Sequence, residues 1–164
     1  MPSTLLIDDD QQVLDTVQSL ASDAGVPIAV APSWDIGLAL FHTLGPDLVI
    51  ADYSLEGSRH GLQLLLEIKR LRPGVRVILI SGVVNPDELG RVQDLGLVDR
   101  VMSKGQGTES IRGLLDEIVR ADKFSDEPTD WRAAARRLME HQAIDEKAIA
   151  ELDDRMRTQA ERNG

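Results

Sequence analysis

The 164-residue chain is long enough for one domain of ordinary size and a small appendage. Its 42% hydrophobic and 28% charged residues supply a core and argue against disorder. The net charge of −10 repels phosphate backbones and anionic lipid headgroups, so we expect neither a DNA-binding nor a membrane-bound protein.

Cysteine usage and the first residues bear on location. The chain has no cysteine, which excludes disulfides and thiolate metal sites and is typical of a reducing compartment. The initial stretch "MPSTLLIDDD" lacks a basic region and reaches acidic residues after three apolar ones, unlike a secretory signal. No apolar run approaches the roughly 18 residues that span a bilayer. We therefore expect a cytoplasmic protein.

Short apolar runs alternate with longer segments of helical periodicity over the first 122 residues, which is a β-α pattern. In chain order we predict strand 4–7, helix 13–24, strand 28–31, helix 33–44, strand 48–51, helix 62–71, strand 75–82, helix 86–95, a short strand within 99–105 and helix 109–122. Gly25 should end the first helix, and Ser33 should cap the second. Because crossovers between parallel strands are right-handed, the pattern predicts an α/β fold with a doubly wound, five-stranded parallel sheet of the flavodoxin-like type.

Polar residues follow four of the five predicted strands, and in a doubly wound sheet functional groups lie at these carboxyl ends. In chain order they are Asp8, Asp9 and Asp10, then Asp52, then Ser81, then Lys104. Each alone has an ordinary explanation, since acids often cap helices, a lone Asp or Ser often forms a turn, and a lone lysine is usually solvated. Because all of them follow strands of one parallel sheet, we predict that they meet at one edge of the sheet and form a functional site.

The chemistry of such a group of side chains is narrow. Carboxylates drawn together repel one another unless a cation neutralises them, and oxygen ligands without His or Cys suit Mg²⁺. One carboxylate can then attack a phosphoryl group and become an aspartyl phosphate. The hydroxyl and the lysine can hold the phosphoryl oxygens. The pattern therefore indicates Mg²⁺-dependent phosphoryl transfer.

The same strand-end motifs resemble those of the receiver domain of two-component response regulators, over residues 1 to about 122. The motifs are "LLIDDD", "VIADYSLEGSRHG", "VILISG" and "VMSKG". The resemblance implies a bacterial signalling protein that takes a phosphoryl group from a histidine kinase or a histidine phosphotransfer protein. It also implies no enzymatic turnover beyond self-catalysed transfer and slow autodephosphorylation.

The resemblance further implies a role for each strand-end residue. Asp52 matches the phosphoacceptor, while Ser81 and Lys104 match the switch hydroxyl and the phosphate-binding lysine. The implied Mg²⁺ ligands are Asp8, Asp9, Asp52 and the backbone carbonyl of Ser54.

Three residues depart from the family pattern. Val101 stands where the family has an aromatic residue, so the usual hydroxyl-to-aromatic switch cannot operate in its ordinary form. Gly105 replaces a common proline, so no cis peptide is expected there. Glu56 occupies another usual proline position. We expect these changes to preserve phosphorylation and to alter the form of the output.

Composition shifts after residue 122. We predict a polar linker at 123–129 and a helical extension at 130–164, in which two helices form a hairpin. A hairpin of this size buries little by itself, so it should pack on the preceding domain or on a second copy of the chain in a homodimer. Residues 123–164 contain eight basic and ten acidic residues, a net charge of −2, which disfavours DNA, and we expect an unidentified protein as the downstream target.

The first predicted helix of the hairpin, about 130–142, has an apolar face. Its members are Trp131, Ala135, Leu138 and Met139. The second predicted helix has Asp145 as its N-cap.

Three other functions compete with a phosphorylated switch. A haloacid-dehalogenase-like phosphatase also uses strand-end Asp, Ser and Lys, with Asp8 as the nucleophile and Asp10 as the general acid. That scheme needs a threonine or similar residue at Gln12 and a later acidic pair at a strand end, but the later pair falls on a predicted helix. A phosphorylation-independent adaptor stays open. So does an RNA-binding antiterminator-type output, to which "RRLMEHQAIDEKAIAEL" bears a loose likeness.

Overall fold

A computed structural model gives the fold and describes residues 3–52, 58–81, 90, 92–103, 112–113, 115–116, 118, 120, 127–140, 158 and 161–162, without the side chains of 58–61, 81 and 103. Five strands form one sheet in the order β2-β1-β3-β4-β5, and all four strand pairs are parallel. The strands are β1 Thr4–Ile7, β2 Ile28–Ala31, β3 Leu48–Asp52, β4 Arg76–Ser81 and β5 Arg100–Ser103. The predicted doubly wound parallel sheet is confirmed.

Four helices have bounds within the described residues. They are α1 Gln11–Ala24, α2 Trp34–Leu44, α3 Ser58–Leu71 and the extension helix, Trp131–Glu140. Residues 92–94, 112–113, 115–116 and 118 are also helical, inside two further predicted helices. The third helix begins four residues before its predicted start at Leu62, because its polar first turn carries no apolar periodicity.

Local chemistry sets the ends of α1 and α2 as expected. The backbone N–H of Ile36 donates to Oγ of Ser33 at 3.3 Å, which confirms Ser33 as the N-cap of α2. Gly25 ends α1 in the left-handed conformation with φ +70°, where a side chain would be strained. Asp10 caps the other end of α1, since its carboxylate accepts a hydrogen bond from the N–H of Gln12.

The core has two halves because alternate residues of each strand face opposite sides of the sheet. On β1, Leu5 and Ile7 belong to one half and Leu6 to the other. The first half is covered by α2, α3, the segment 92–98 and the extension helix. The second is covered by α1 together with Leu115 and Ile118. Strands covered on both sides explain the nearly continuous apolar runs of the sequence.

The extension helix packs on α3. Ala134 and Leu138 are both 0% exposed and lie in the first half of the core, with Trp131 and Ala135 partly buried beside them. Met139, which we placed on the apolar face, is 38% exposed, so that part of the prediction is wrong. The helix is buried along one i, i+4 row, and Met139 lies outside that row.

The second helix of the predicted hairpin, with its cap at Asp145, lies outside the described residues, although residues 158, 161 and 162 are helical. Within the described part of the chain, no helix is both long and apolar enough to cross a bilayer.

Candidate functional site

Two aspartates lie side by side where β1 and β3 end. Ile7 pairs with Ala51 across these neighbouring strands, so the next residues, Asp8 and Asp52, are at the same level. The backbone N–H of Asp8 donates to the carbonyl of Ala31 at 3.0 Å, which holds the end of β1 against β2. Asp8 is 0% exposed and Asp52 is 2% exposed. The sheet therefore buries two neighbouring carboxyl groups at one edge.

The consecutive aspartates after β1 have different roles. Asp8, Asp9 and Asp52 each offer a carboxylate oxygen, and these three oxygens lie within 4.8 Å of one another. Asp10 instead turns one carboxylate oxygen to the N–H of Gln12 at 3.0 Å and caps α1. The N–H of Asp10 donates to Oδ1 of Asp8 at 2.9 Å, which orients the buried carboxylate. The helix-cap interpretation is thus correct for Asp10, while Asp8 and Asp9 lie in the carboxylate cluster and their role as metal ligands stays a prediction.

The donor set fits a hard divalent cation. It contains oxygen donors alone, and two of the three carboxylates are buried while Asp9 is exposed. Like charges a few ångströms apart repel by about 1 kcal/mol in water, and by more where burial lowers the dielectric constant. A cation with oxygen preference, reached through the exposed side, offsets that repulsion and keeps part of its water shell.

The other predicted site residues are described less fully. Ser81 is the last residue of β4 and pairs with Ser103 of β5, and its side chain is outside the description. Lys104 and Ser54 lie outside the described residues. The strand order nonetheless places the ends of β3, β4 and β5 next to one another, with Asp52 opposite Ile80.

Val101, at the position of the usual aromatic residue, lies in β5 opposite Leu79. It is partly buried and packs against the first half of the core. A branched aliphatic side chain has neither the reach nor the hydroxyl-facing ring of an aromatic one. The expectation that the output differs in form from the usual switch therefore stays a prediction.

A charged network that was not predicted from the sequence lies at the amino ends of β4 and β5, opposite the carboxylate cluster. Lys69 is 0% exposed, and its Nζ donates to the carbonyl of Val75 at 2.6 Å and to Oδ2 of Asp99 at 2.9 Å. The same carboxylate accepts the N–H of Val77 at 2.8 Å and lies 3.5 Å from Nη1 of Arg76. Burial lowers the pKa of Lys69, and the Asp99 carboxylate opposes that shift. The one sign of this network in the sequence is the position of Lys69 within the largely apolar run "LLLEIKRL".

Comparison with known proteins agrees with this geometry. The family model described as the response regulator receiver domain matches residues 4–116. The nitrogen assimilation regulatory protein NtrX of Azorhizobium caulinodans is 38% identical over 79 residues, which cover 48% of this chain and 17% of NtrX. The transcriptional regulatory protein GlrR of Escherichia coli is 32% identical over 77 residues, which cover 47% of this chain and 17% of GlrR. The matched part thus spans about a sixth of the length of these curated relatives.

Solved structures of receiver domains are also similar to this chain. The receiver domain of NtrX from Brucella abortus is 29% identical with a TM-score of 0.60, over 72% of this chain and 98% of that one. A CheY-like receiver domain protein from Methanospirillum hungatei superposes with a TM-score of 0.63 over 74% and 93% of the two chains, and at 24% identity it supports the fold alone. The chain belongs to the receiver domain family of two-component response regulators.

Proposed function

We propose that the chain is a phosphorylatable signalling switch in which Asp52 accepts a phosphoryl group in a Mg²⁺-dependent reaction. The observation that carries this proposal is the carboxylate cluster of Asp8, Asp9 and Asp52, whose oxygens lie within 4.8 Å of one another. A site of hard oxygen donors, with Asp8 and Asp52 buried and Asp9 exposed, suits a small cation that retains several waters.

In this proposal Asp8, Asp9 and Asp52 would hold Mg²⁺, and by family resemblance the backbone carbonyl of Ser54 would complete the protein ligands. The bound ion would offset the negative charge of the carboxylates and of the incoming phosphoryl oxygens. The hydrogen bond from the N–H of Asp10 keeps Asp8 oriented while this happens.

The transfer step uses the Asp52 carboxylate as nucleophile. One carboxylate oxygen of Asp52 attacks the phosphorus, so an O–P bond forms while the N–P bond of a donor phosphohistidine breaks. The donor imidazole keeps the electron pair and takes up a proton. Ser81 and Lys104, by family resemblance, hold the phosphoryl oxygens of the product.

The donor in this proposal is a histidine kinase or a histidine phosphotransfer protein in the cytoplasm, and transfer is stoichiometric rather than a catalytic cycle. The output is a contact with another protein, not with DNA. The net charge of −10 for the chain and of −2 for residues 123–164 support this choice, since both repel a phosphate backbone. Homodimerisation through the C-terminal helices stays a prediction.

One contact favours the switch over a phosphatase. A phosphatase of the alternative type needs Asp10 as its general acid, aimed at the phosphate. Oδ1 of Asp10 is instead 3.0 Å from the N–H of Gln12, where it caps α1. The carboxylate beside Asp8 and Asp9 is Asp52, which that mechanism leaves unused.

The test is intact mass after incubation with acetyl phosphate, with and without Mg²⁺. We expect a gain of one phosphoryl group that requires Mg²⁺ and is lost in Asp52→Asn. Asp23→Asn is the matched control, because it removes one exposed carboxylate from the end of α1 and should leave the gain intact. No gain in mass, with free phosphate released only when Asp8 is intact, would favour the phosphatase, and neither gain nor release would favour the adaptor.

A further inference from the structure

The extension helix has an apolar row along its outer side that the domain covers only in part. Trp131, Ala135 and Met139 follow one another at every fourth residue, so they lie on one side of the helix. Trp131 and Ala135 are partly buried against the first half of the core, whereas Met139 is 38% exposed. The row therefore leaves apolar area in contact with solvent.

Two arginines lie beside this apolar row. Arg132 and Arg136 are exposed and four residues apart, which places their Cα atoms about 6 Å apart along the helix axis. Neither forms an ion pair within the part of the chain that the structure describes. Like charges at this spacing destabilise a helix, and an anion bound to both arginines would offset their repulsion.

The ring of Trp131 helps to position these arginines. The guanidinium of Arg132 lies 4.8 Å from the ring centroid, and that of Arg70 on α3 lies 4.9 Å from it. A guanidinium is attracted to the face of an indole ring. Because a guanidinium that is already positioned loses less conformational entropy on binding an anion, this contact favours binding.

The negative charge of the chain lies mainly at the other end of the sheet. Residues 1–58 contain nine acidic residues and no lysine or arginine, whereas residues 59–164 contain 18 basic and 19 acidic ones. The first segment supplies β1, β2, α1 and α2, and the strand order puts β2 and β1 far from β4 and β5. The extension helix packs on α3 and shares a core cluster with Leu95. An anionic partner can therefore approach it without crossing the most acidic part of the surface.

An acidic protein segment fits this surface better than a nucleic acid does. Carboxylates four residues apart on a partner helix have the same spacing of about 6 Å as the two arginines, and apolar side chains on that helix can contact Met139. A nucleic acid carries a continuous row of phosphates. Such a row would extend over Asp130 and Glu140, the exposed acidic residues at the two ends of the extension helix.

We propose that the extension helix is a docking surface for an acidic, amphipathic segment of another protein. Arg132 and Arg136 pair with its carboxylates, and the row of Trp131, Ala135 and Met139 contacts its apolar side. Aromatic residues, methionine and arginine are the residue types enriched at protein interfaces.

The location of this surface separates it from the phosphorylation site. The N–H of Thr129 donates to the carbonyl of Pro73 at 2.7 Å, between α3 and the start of β4. The extension helix therefore begins near the amino ends of the strands, whereas Asp52 lies at a carboxyl end. Docking in this proposal does not require phosphorylation of Asp52, so it goes beyond the proposed function.

The test is binding of the full chain to a labelled synthetic helical peptide, measured by fluorescence anisotropy at about 50 mM salt, where screening is weak. In the test peptide, glutamates recur at every fourth residue beside a row of leucines. The control peptide has the same composition, with both residue types spread over all sides of the helix. We expect the test peptide to bind at least about tenfold more tightly, since only its charged and apolar rows match the surface. Equal affinities would overturn the proposal.

A matched pair of variants locates the binding. Arg136→Glu should weaken binding of the test peptide by about tenfold, because it replaces an attraction with a repulsion. Arg112→Glu makes the same change at an exposed arginine on a helix that covers the other half of the core, and it should leave the affinity unchanged. Both residues are exposed, so we expect an unchanged Tm. Equal affinities of the two variants would contradict the proposal.

Two further measurements separate the alternatives. Met139→Ala should weaken binding several-fold, and Asp52→Asn should bind like wild type, whereas weaker binding by Asp52→Asn would contradict a surface that is independent of phosphorylation. A single-stranded RNA that binds more tightly than the peptide and requires Arg136 would overturn an acidic protein segment as the occupant. Failure of Asp52 to accept a phosphoryl group in a chain that binds the peptide would count against the proposed function alone.

Discussion

The two edges of the sheet use buried charge in opposite ways. At the carboxyl ends of the strands, Asp8, Asp9 and Asp52 gather three groups of the same sign. At the amino ends, Lys69 is buried against Asp99, which also lies near Arg76. Like charges at one edge repel one another, and a bound cation would offset that repulsion, whereas the mixed group pairs opposite charges within itself. The first arrangement suits a binding site and the second suits a structural joint.

The joint at the amino ends connects elements that are distant in sequence. Lys69 belongs to α3, Val75 and Val77 to the start of β4, and Asp99 directly precedes β5. One lysine and one carboxylate thus hold three elements in register. If one edge serves stability and the other serves function, substitutions of charged residues at the two edges should change the free energy of unfolding in opposite directions.

The largest effect is expected from Asp99→Ala. It removes the acceptor of both Lys69 and the Val77 N–H, and leaves a buried ammonium with one carbonyl partner at Val75. We expect the free energy of unfolding to fall by about 3–5 kcal/mol, measured by urea denaturation. Asp94→Ala, an exposed aspartate five residues earlier, is the control and should change it by less than about 0.5 kcal/mol. A small effect at Asp99 would show that the joint is not needed for stability.

Gly37→Ala should have an intermediate effect, and it should change both the stability of the fold and the binding of Mg²⁺. A Cβ at Gly37 would lie 2.5 Å from Cδ1 and 2.8 Å from Cγ1 of Ile7, the residue before Asp8. We expect a loss of about 1–3 kcal/mol from overpacking, together with weaker Mg²⁺ binding because Asp8 is displaced. Denaturation and Mg²⁺ titration measure the two effects. Gly74→Ala, where a Cβ meets nothing within 4 Å, should affect neither.

Asp8→Asn should change stability in the opposite direction to Asp99→Ala. The asparagine removes one charge beside Asp9 and Asp52 and keeps an oxygen for the N–H of Asp10. Without Mg²⁺ we expect the free energy of unfolding to rise by about 1 kcal/mol. In wild type, Mg²⁺ at about 100 times its Kd should add about 2.7 kcal/mol, and the variant should lose most of this gain. Thermal denaturation with and without Mg²⁺ measures both, and a destabilised variant would count against the charge argument.

The smallest effect is a pH dependence at His42, near the amino-end edge. Burial lowers the pKa of His42 below its ordinary value of 6.5, and its Nε2 has no hydrogen-bond partner within the described part of the chain. Between the lowered pKa and 6.5 the unfolded chain binds more protons, so stability falls as the pH drops through this window. The Tm of wild type should therefore fall more between about pH 7 and about pH 5 than that of His42→Gln. Equal falls would exclude this contribution.

Most of the acidic site was accessible from local patterns. An apolar run followed by an acid marks a strand end, and parallel strands bring such ends to one edge. These two patterns predict that Asp8, Asp9 and Asp52 meet. They do not assign Asp10 to the helix cap, since all three consecutive aspartates carry the same group and the choice depends on backbone direction after β1.

Local sequence patterns do not predict the charged joint or the position of the extension helix on the domain. Lys69 and Asp99 are 30 residues apart, and nothing in the periodicity of either segment names the other. The helical period predicted an apolar face on the extension helix but not the member that turns outward, Met139.

The sequence by itself determined the β-α alternation, the helix ends at Gly25 and Ser33 and the acids at the strand ends, because these depend on neighbours a few residues apart. Tertiary structure alone decided which charges are buried together and where the extension helix lies, because those contacts join elements far apart in sequence. Their stability depends on burial and packing that exist only once the sheet and its helices have assembled.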